Sequence, residues 1–104
     1  MRFLVVTKQS SPPPPEMVLG LFEALSGWAK EQQAKGKMEQ VWSFAGLQGG
    51  GGILNVNSLE ELDAVMAGFP FGPFSHIETY PLVDLEPSLE AVRQAIRAMM
   101  PPNA

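Results

Sequence analysis

His76, Glu78 and Tyr80 stand at alternate positions in the segment His76 to Leu82, and each is a residue type that handles protons. The segment reads as the last core strand. In an extended strand alternate side chains project to one side, so these three share a face while Ile77 and Thr79 take the other. Neighbours two apart lie about 6–7 Å from each other, close enough to enclose a small substrate. An imidazole exchanges protons near neutrality, and a carboxylate beside it would raise its pKa. Glu78 would act as a base in a pocket dry enough to raise its own pKa. Tyr80 would donate a hydrogen bond to a developing enolate oxygen. The same alternation describes the solvated face of an edge strand, and both readings stand. Ser75 precedes His76, but nothing beside it in sequence suggests an activated nucleophile.

A second set of residues suits a flat organic molecule. Trp28, Trp42, Phe44, Phe69, Phe71 and Phe74 can line an apolar pocket, and they can equally be core and interface. Asn55 is a candidate polar group of that pocket, whereas Asn57, just before a capping serine, reads as structural. The run Gly46-Leu47-Gln48-Gly49-Gly50-Gly51-Gly52 lacks what a phosphate loop requires. No Lys with Ser or Thr follows it, and no helix follows it either, because Ile53-Leu54-Asn55 reads as strand. It is expected to be a pliable hairpin loop.

Composition narrows the chemistry further. The chain has 104 residues, a length that argues for one domain. Without cysteine there is no disulfide, thiolate zinc site, iron–sulfur cluster or cysteine nucleophile. One histidine excludes a multi-histidine metal site. A net charge of -4, with the basic residues scattered, argues against nucleic acid as a partner. The apolar run Phe3-Leu4-Val5-Val6 is too short for a signal peptide or a membrane span, so a soluble cytoplasmic protein is expected.

These candidates need a frame to hold them. Phe3 to Thr7 reads as a strand with apolar side chains on both faces, as expected when both faces are covered. Pro12 to Pro15 form a stiff connector. Glu16 to Lys35 is a helix with Val18, Leu21, Phe22, Leu25 and Trp28 on one stripe, and Gly36 just past its end. Gly20 and Gly27 inside it suggest close approach to a sheet. Met38 to Ala45 and Ile53 to Val56 read as strands. Ser58 with Glu61 makes a capping box for a helix ending at Gly68. Pro87 to Met100 is a third helix, with Val92, Ile96 and Met99 on one side.

The order is β-α-β-β-α-β with an extra C-terminal helix. It predicts an α+β, ferredoxin-like domain at 1–86, with a four-stranded antiparallel sheet, and a helix and tail at 87–104. Two helices would cover one sheet face. The apolar residues on the other face predict that a second copy packs against it.

From Val41 onward the chain resembles the muconolactone isomerase family of dimeric α/β barrels. The matching words are Val41-Trp42-Ser43-Phe44-Ala45-Gly46, Val56-Asn57-Ser58-Leu59-Glu60-Glu61-Leu62, Phe69-Pro70-Phe71-Gly72-Pro73-Phe74 and Tyr80-Pro81-Leu82. With the opening strand, the resemblance spans roughly residues 2 to 88. It implies tight homodimers or a larger ring of dimers, and an active site between sheet and helices. It also implies a proton shift within an unsaturated lactone, without metal or organic cofactor. The family carries a histidine on the first strand with a polar residue two positions later, and this chain has Leu4 and Val6 there. Leu47 stands where a histidine usually follows Ala-Gly, and Glu23 and Ser26 are the nearest counterparts of polar groups on the first helix. The family's catalytic set is therefore not carried over residue by residue.

Three functions are in view. The first is a cofactor-free isomerase or cyclase-like enzyme acting on a small lactone, aromatic or polyketide-type metabolite, with His76 and Glu78 moving the proton and Tyr80 holding the oxygen. The second is a non-catalytic dimeric module that binds a small molecule or a partner protein. The third is a cofactor-free monooxygenase of the same barrel class.

Overall fold

In the computed structural model, which describes residues 1–102, the opening apolar segment is strand β1 (Arg2–Gln9), and its two faces differ. Phe3, Val5 and Thr7 are buried, while Leu4 and Val6 are half-buried. The chain continues through α1 (Val18–Ala34), β2 (Met38–Ser43), β3 (Gly49–Asn55), α2 (Leu59–Ala67), β4 (Ser75–Leu82) and α3 (Leu85–Met99). Across the sheet the strands run β2-β3-β1-β4, each antiparallel to its neighbour. This is the ferredoxin-like α+β arrangement that the element order predicts.

The buried core is small and lies toward one end of the sheet. Phe3, Val5, Met38, Leu54 and Val56 meet Leu62 and Val65 of α2, with Trp28 and Ala29 of α1 packed alongside. Each such side chain stabilises the fold by roughly 1.5–3 kcal/mol on burial, so few can be spared.

Local punctuation explains both covering helices. Pro15 opens a 3₁₀ turn, Pro15–Met17, ahead of α1. Gly36 at φ 74° ends it, its N–H bonding to the Gln33 carbonyl while Lys37 bonds to that of Gln32. That paired closure is the Schellman motif, and the left-handed residue it needs is most easily glycine. At α2 the Ser58 hydroxyl accepts from the Glu61 amide at 3.1 Å, and the Glu61 carboxylate accepts from the Asn57 amide at 3.0 Å. The return bond of the predicted capping box thus reaches one residue further out.

Two expectations about glycine are corrected. The run at 46–52 is not mainly a loop: β3 begins at Gly49, and only residues 44–48 make the turn. A Cβ on Gly50 would stand 2.4 Å from the Trp42 carbonyl oxygen, and one on Gly52 would stand 2.8 Å from that of Gln40. Strands approach there more closely than a side chain allows, so glycine forms strand where composition alone suggests turn. Gly20 and Gly27 do not mark close approach to the sheet, because a Cβ at either has nothing within 4 Å. Their cost to α1 is therefore uncompensated, and Gly27→Ala should raise the unfolding free energy by about 1 kcal/mol in a denaturant titration.

Boundaries elsewhere shift by a few residues, with β2 ending at Ser43 and α3 starting at Leu85. The edge strand β2 carries an irregularity between Met38 and Gln40, and the edge strand β4 carries Pro81. No residue of α3 is buried, and the molecule extends 70 Å along its longest axis. Among the described residues no helix is long and apolar enough to cross a membrane.

Candidate functional site

Register decides which side of the sheet each candidate occupies. Val5 faces Gly52 and Thr79, and Thr7 faces Gly50 and Ile77. Residues directly opposite share a face, so these line the inner, helix-covered side. Leu4 faces Tyr80, Val6 faces Glu78 and Lys8 faces His76. His76, Glu78 and Tyr80 do share one face, as alternation predicts, and it is the outer face that this chain's helices leave uncovered.

On the inner side lies a cavity of roughly 710 Å³, within the range of small-molecule sites. Its floor is Val5, Thr7 and the strand Gly49–Gly52, and its roof is the first half of α1 with Val18, Phe22, Leu25 and Ser26. Gly50 and Gly52 place no side chain on the inner face, so space remains between sheet and helix. Pro12, Pro13 and Pro15 close one end. The amides of Ser10 and Ser11 bond to the Phe74 carbonyl at 2.8 and 3.3 Å, which pins the proline segment in place.

Aromatic rings build the far wall. Phe22 and Phe71 have centroids 5.3 Å apart, Phe71 and Phe69 6.4 Å, and Phe69 and Trp28 5.5 Å, all tilted. Such offset, tilted contacts suit the ring quadrupoles and hold the wall rigid. Among the described residues no Asp, Glu, Lys, Arg or His lines the cavity, whose side-chain polar groups come from Thr7, Gln9, Ser26, Ser43, Gln48, Ser75 and the buried indole N–H of Trp28. The Thr7 hydroxyl is engaged by the Gly50 carbonyl at 3.2 Å.

The predicted binding residues divide accordingly. Trp28 and Phe71 line the cavity, and Trp42 borders it although it pairs with Gly51 and so belongs by register to the outer face with Val6. Phe44 covers Gly51, its ring 3.6 Å from where a Cβ would stand. Phe74 lies in the turn Gly72–Phe74, where its carbonyl holds the proline segment. Asn55 donates to Glu39 at 3.4 Å, and Glu39 also pairs with Arg2 at 2.9 Å, on the rim of the sheet. The glycine floor, Val5, Thr7, Phe22, Leu25 and Ser43 were not among the expected lining residues, while Ser26 had been named only as a counterpart of a family polar group. Their signal was glycine inside a strand pattern, which marks close approach or a vacated face.

On the outer face the Tyr80 hydroxyl donates to the Glu78 carboxylate, and His76 Nε2 lies 3.3 Å from the other carboxylate oxygen. The Tyr80 hydrogen bond, above all, holds Glu78 below its ordinary pKa against an opposing desolvation effect, with His76 and Lys8 assisting. The same bond raises the Tyr80 phenol. A lowered carboxylate contributes stability above its ordinary pKa that is lost as pH falls through the lowered value. A raised phenol contributes below its ordinary pKa, near 10, and loses that contribution as pH rises through the raised value. Tyr80 is the only tyrosine, so absorbance at its phenolate band reports it alone. Its midpoint should lie above the ordinary phenol value and fall back toward it in Glu78→Gln.

Among the described residues no three carboxylate or imidazole groups converge where they could hold a metal ion. A shallower groove of roughly 300 Å³, lined by Leu59, Leu62, Asp63, Met66, Ile77 and Thr79, runs between α2 and β4.

The ferredoxin-like chain thus holds, between sheet and helix, a cavity with no charged side chain among its described lining residues. Solved structures carry the same frame. Muconolactone isomerase superposes with a TM-score of 0.75 at 24% identity, covering 83% of this chain and 92% of that one. A 5-chloro-2-hydroxyhydroquinone dehydrochlorinase from Burkholderia phenoliruptrix AC1100, in complex with 2,5-dihydroxybenzoquinone, gives 0.62 at 15% identity, covering 83% and 97%. No curated protein sequence matches the chain. The model of the muconolactone delta-isomerase family matches residues 1–86, and the chain belongs to that family.

Proposed function

We propose that this protein takes a flat, uncharged, unsaturated ring compound into the cavity under α1 and shifts a proton within it, as a cofactor-free isomerase. The compound class is a lactone, quinol or polyketide-type ring. The observation that carries the reading is the cavity itself: aromatic on one wall, backbone-floored on the other, and without a charged side chain. A carboxylate entering it would lose its hydration with no cation to replace it, which selects neutral ligands. Family membership supports an isomerase-type reaction. The serine hydroxyls and Gln48 are the groups that can hold ring oxygens, and a preorganised donor stabilises a developing enolate.

One observation favours the second reading, binding without turnover. Among the described residues no imidazole or carboxylate lines the cavity, and His76 and Glu78 stand across the sheet from it. A single experiment separates the two. The protein is incubated in deuterium oxide with neutral lactones, quinols and their carboxylate-bearing analogues, and followed by thermal shift and proton NMR. Neutral rings should stabilise the fold by about 2.7 kcal/mol at a hundredfold excess over Kd. Deuterium exchange at the carbon next to the carbonyl marks turnover, and a ligand recovered unlabelled marks binding alone. Stabilisation by the carboxylate analogues only would overturn the cavity reading. In the His76→Ala, Glu78→Ala double variant, exchange should persist; loss of exchange with binding intact would move the proton chemistry to the outer face.

A second copy over that outer face belongs to the same reading. Leu4, Val6 and Ile53 are only half-buried there, and Tyr80 is 47% exposed, so apolar side chains on this face are left for a second copy to cover. A stable monomer in sedimentation at micromolar concentration would contradict this pairing.

A further inference from the structure

The arm α3 carries a seam that no other described residue covers. Leu85, Leu89, Val92, Ile96 and Met99 follow one another at intervals of four, three, four and three, and they are 36–85% exposed. That spacing repeats every seven residues and places all five on one narrow stripe, the pattern of a helix that pairs with another helix. A helix lying on a globular surface shows a broader apolar face. Nearly all of α3 lies beyond residue 86, where the family match ends.

We infer that α3 pairs with α3 of a second copy, antiparallel, about a twofold axis. Setting Leu89 against the partner's Val92 places Leu85 against the partner's Ile96, and every seam position up to Ile96 finds an apolar opposite. Glu86 then comes beside the partner's Arg93, and Arg93 beside the partner's Glu86, so both flanking contacts join opposite charges. A parallel pair in register gives neither residue an opposite charge. Ser88 and Ala95, on the other flank, are small enough for close approach of the two backbones. Within one helix Arg93 reaches both Glu86, at 3.9 Å, and Glu90, at 3.3 Å, so these charges are already gathered beside the seam. A lipid surface suits the arm less well, because its polar side carries Glu86, Glu90, Arg93 and Arg97 and no excess of positive charge. A helix of this length is marginal alone in water, and pairing supplies the burial it lacks.

The absence of cysteine makes the test direct. In one chain, cysteines at 85 and 96 are about 16 Å apart along the helix and cannot bridge to each other. The full-length Leu85→Cys, Ile96→Cys double variant should therefore give a covalent dimer under mild oxidation, most of the protein shifting in a denaturing gel. Each single variant, and a Gln94→Cys control on the far side of the helix, should shift tenfold less. Adding Leu89→Glu should abolish the dimer. Adding Glu86→Arg should lower its yield, and Arg93→Glu on top should restore it. A single variant that cross-links as well as the double indicates parallel or random contact and overturns the proposal. A double variant no better than the control overturns it too, leaving the seam to a different protein.

Discussion

Gly50→Ala should lower the unfolding free energy by about 2–4 kcal/mol, a large share of what a domain of this size possesses. The added methyl would stand 2.4 Å from the Trp42 carbonyl oxygen, an atom of the paired strand that no rotamer change can move. Relief requires β2 and β3 to part where Ser43 faces Gly50. The Thr7 hydroxyl, which donates to the Gly50 carbonyl, would lose its geometry as well. Thermal unfolding should show the midpoint lowered by roughly 10–25 °C. Gly72→Ala is the control, since a Cβ there meets nothing within 4 Å, and it should change the midpoint little. Equal midpoints for the two variants would mean that the close approach of β2 and β3 is not what demands glycine.

Leu54→Ala should cost about 3–4 kcal/mol. Leu54 is 1% exposed and lies in β3 with Phe3 opposite it on one side and Met38 on the other. Removing its branched end takes away three carbons and their contacts with both neighbours. It also lines the cavity under α1, so the void opens into existing space and the surrounding chain has little reason to collapse around it. The denaturant midpoint should fall with the slope unchanged, the sign that native stability rather than denatured-state compactness has changed. A loss below 1 kcal/mol would show that the small core tolerates truncation by rearranging.

Much of the frame could be read from single residues. Ser58 and Glu61 announced α2, Gly36 announced the end of α1, and the apolar run at Phe3–Thr7 announced a strand. Alternation correctly grouped His76, Glu78 and Tyr80. It could not say which side of the sheet they face, because that depends on pairing with β1, and β4 has polar residues on both sides. The glycine run was misread for a similar reason. Glycine in a sequence signals turns, and its other use, letting two backbones approach, is visible only once Trp42 and Gln40 are placed beside it. The cavity follows from that same placement and so was hidden with it.

The irregularity in β2 and Pro81 in β4 bear on how these chains behave when crowded. A growing fibril needs a straight border with its donors and acceptors free, and both borders here are spoiled, one by a kink and one by a residue with no N–H to give. Copies that meet are thereby steered away from end-on stacking of strands into endless ribbons. Finite assemblies are what such a surface favours.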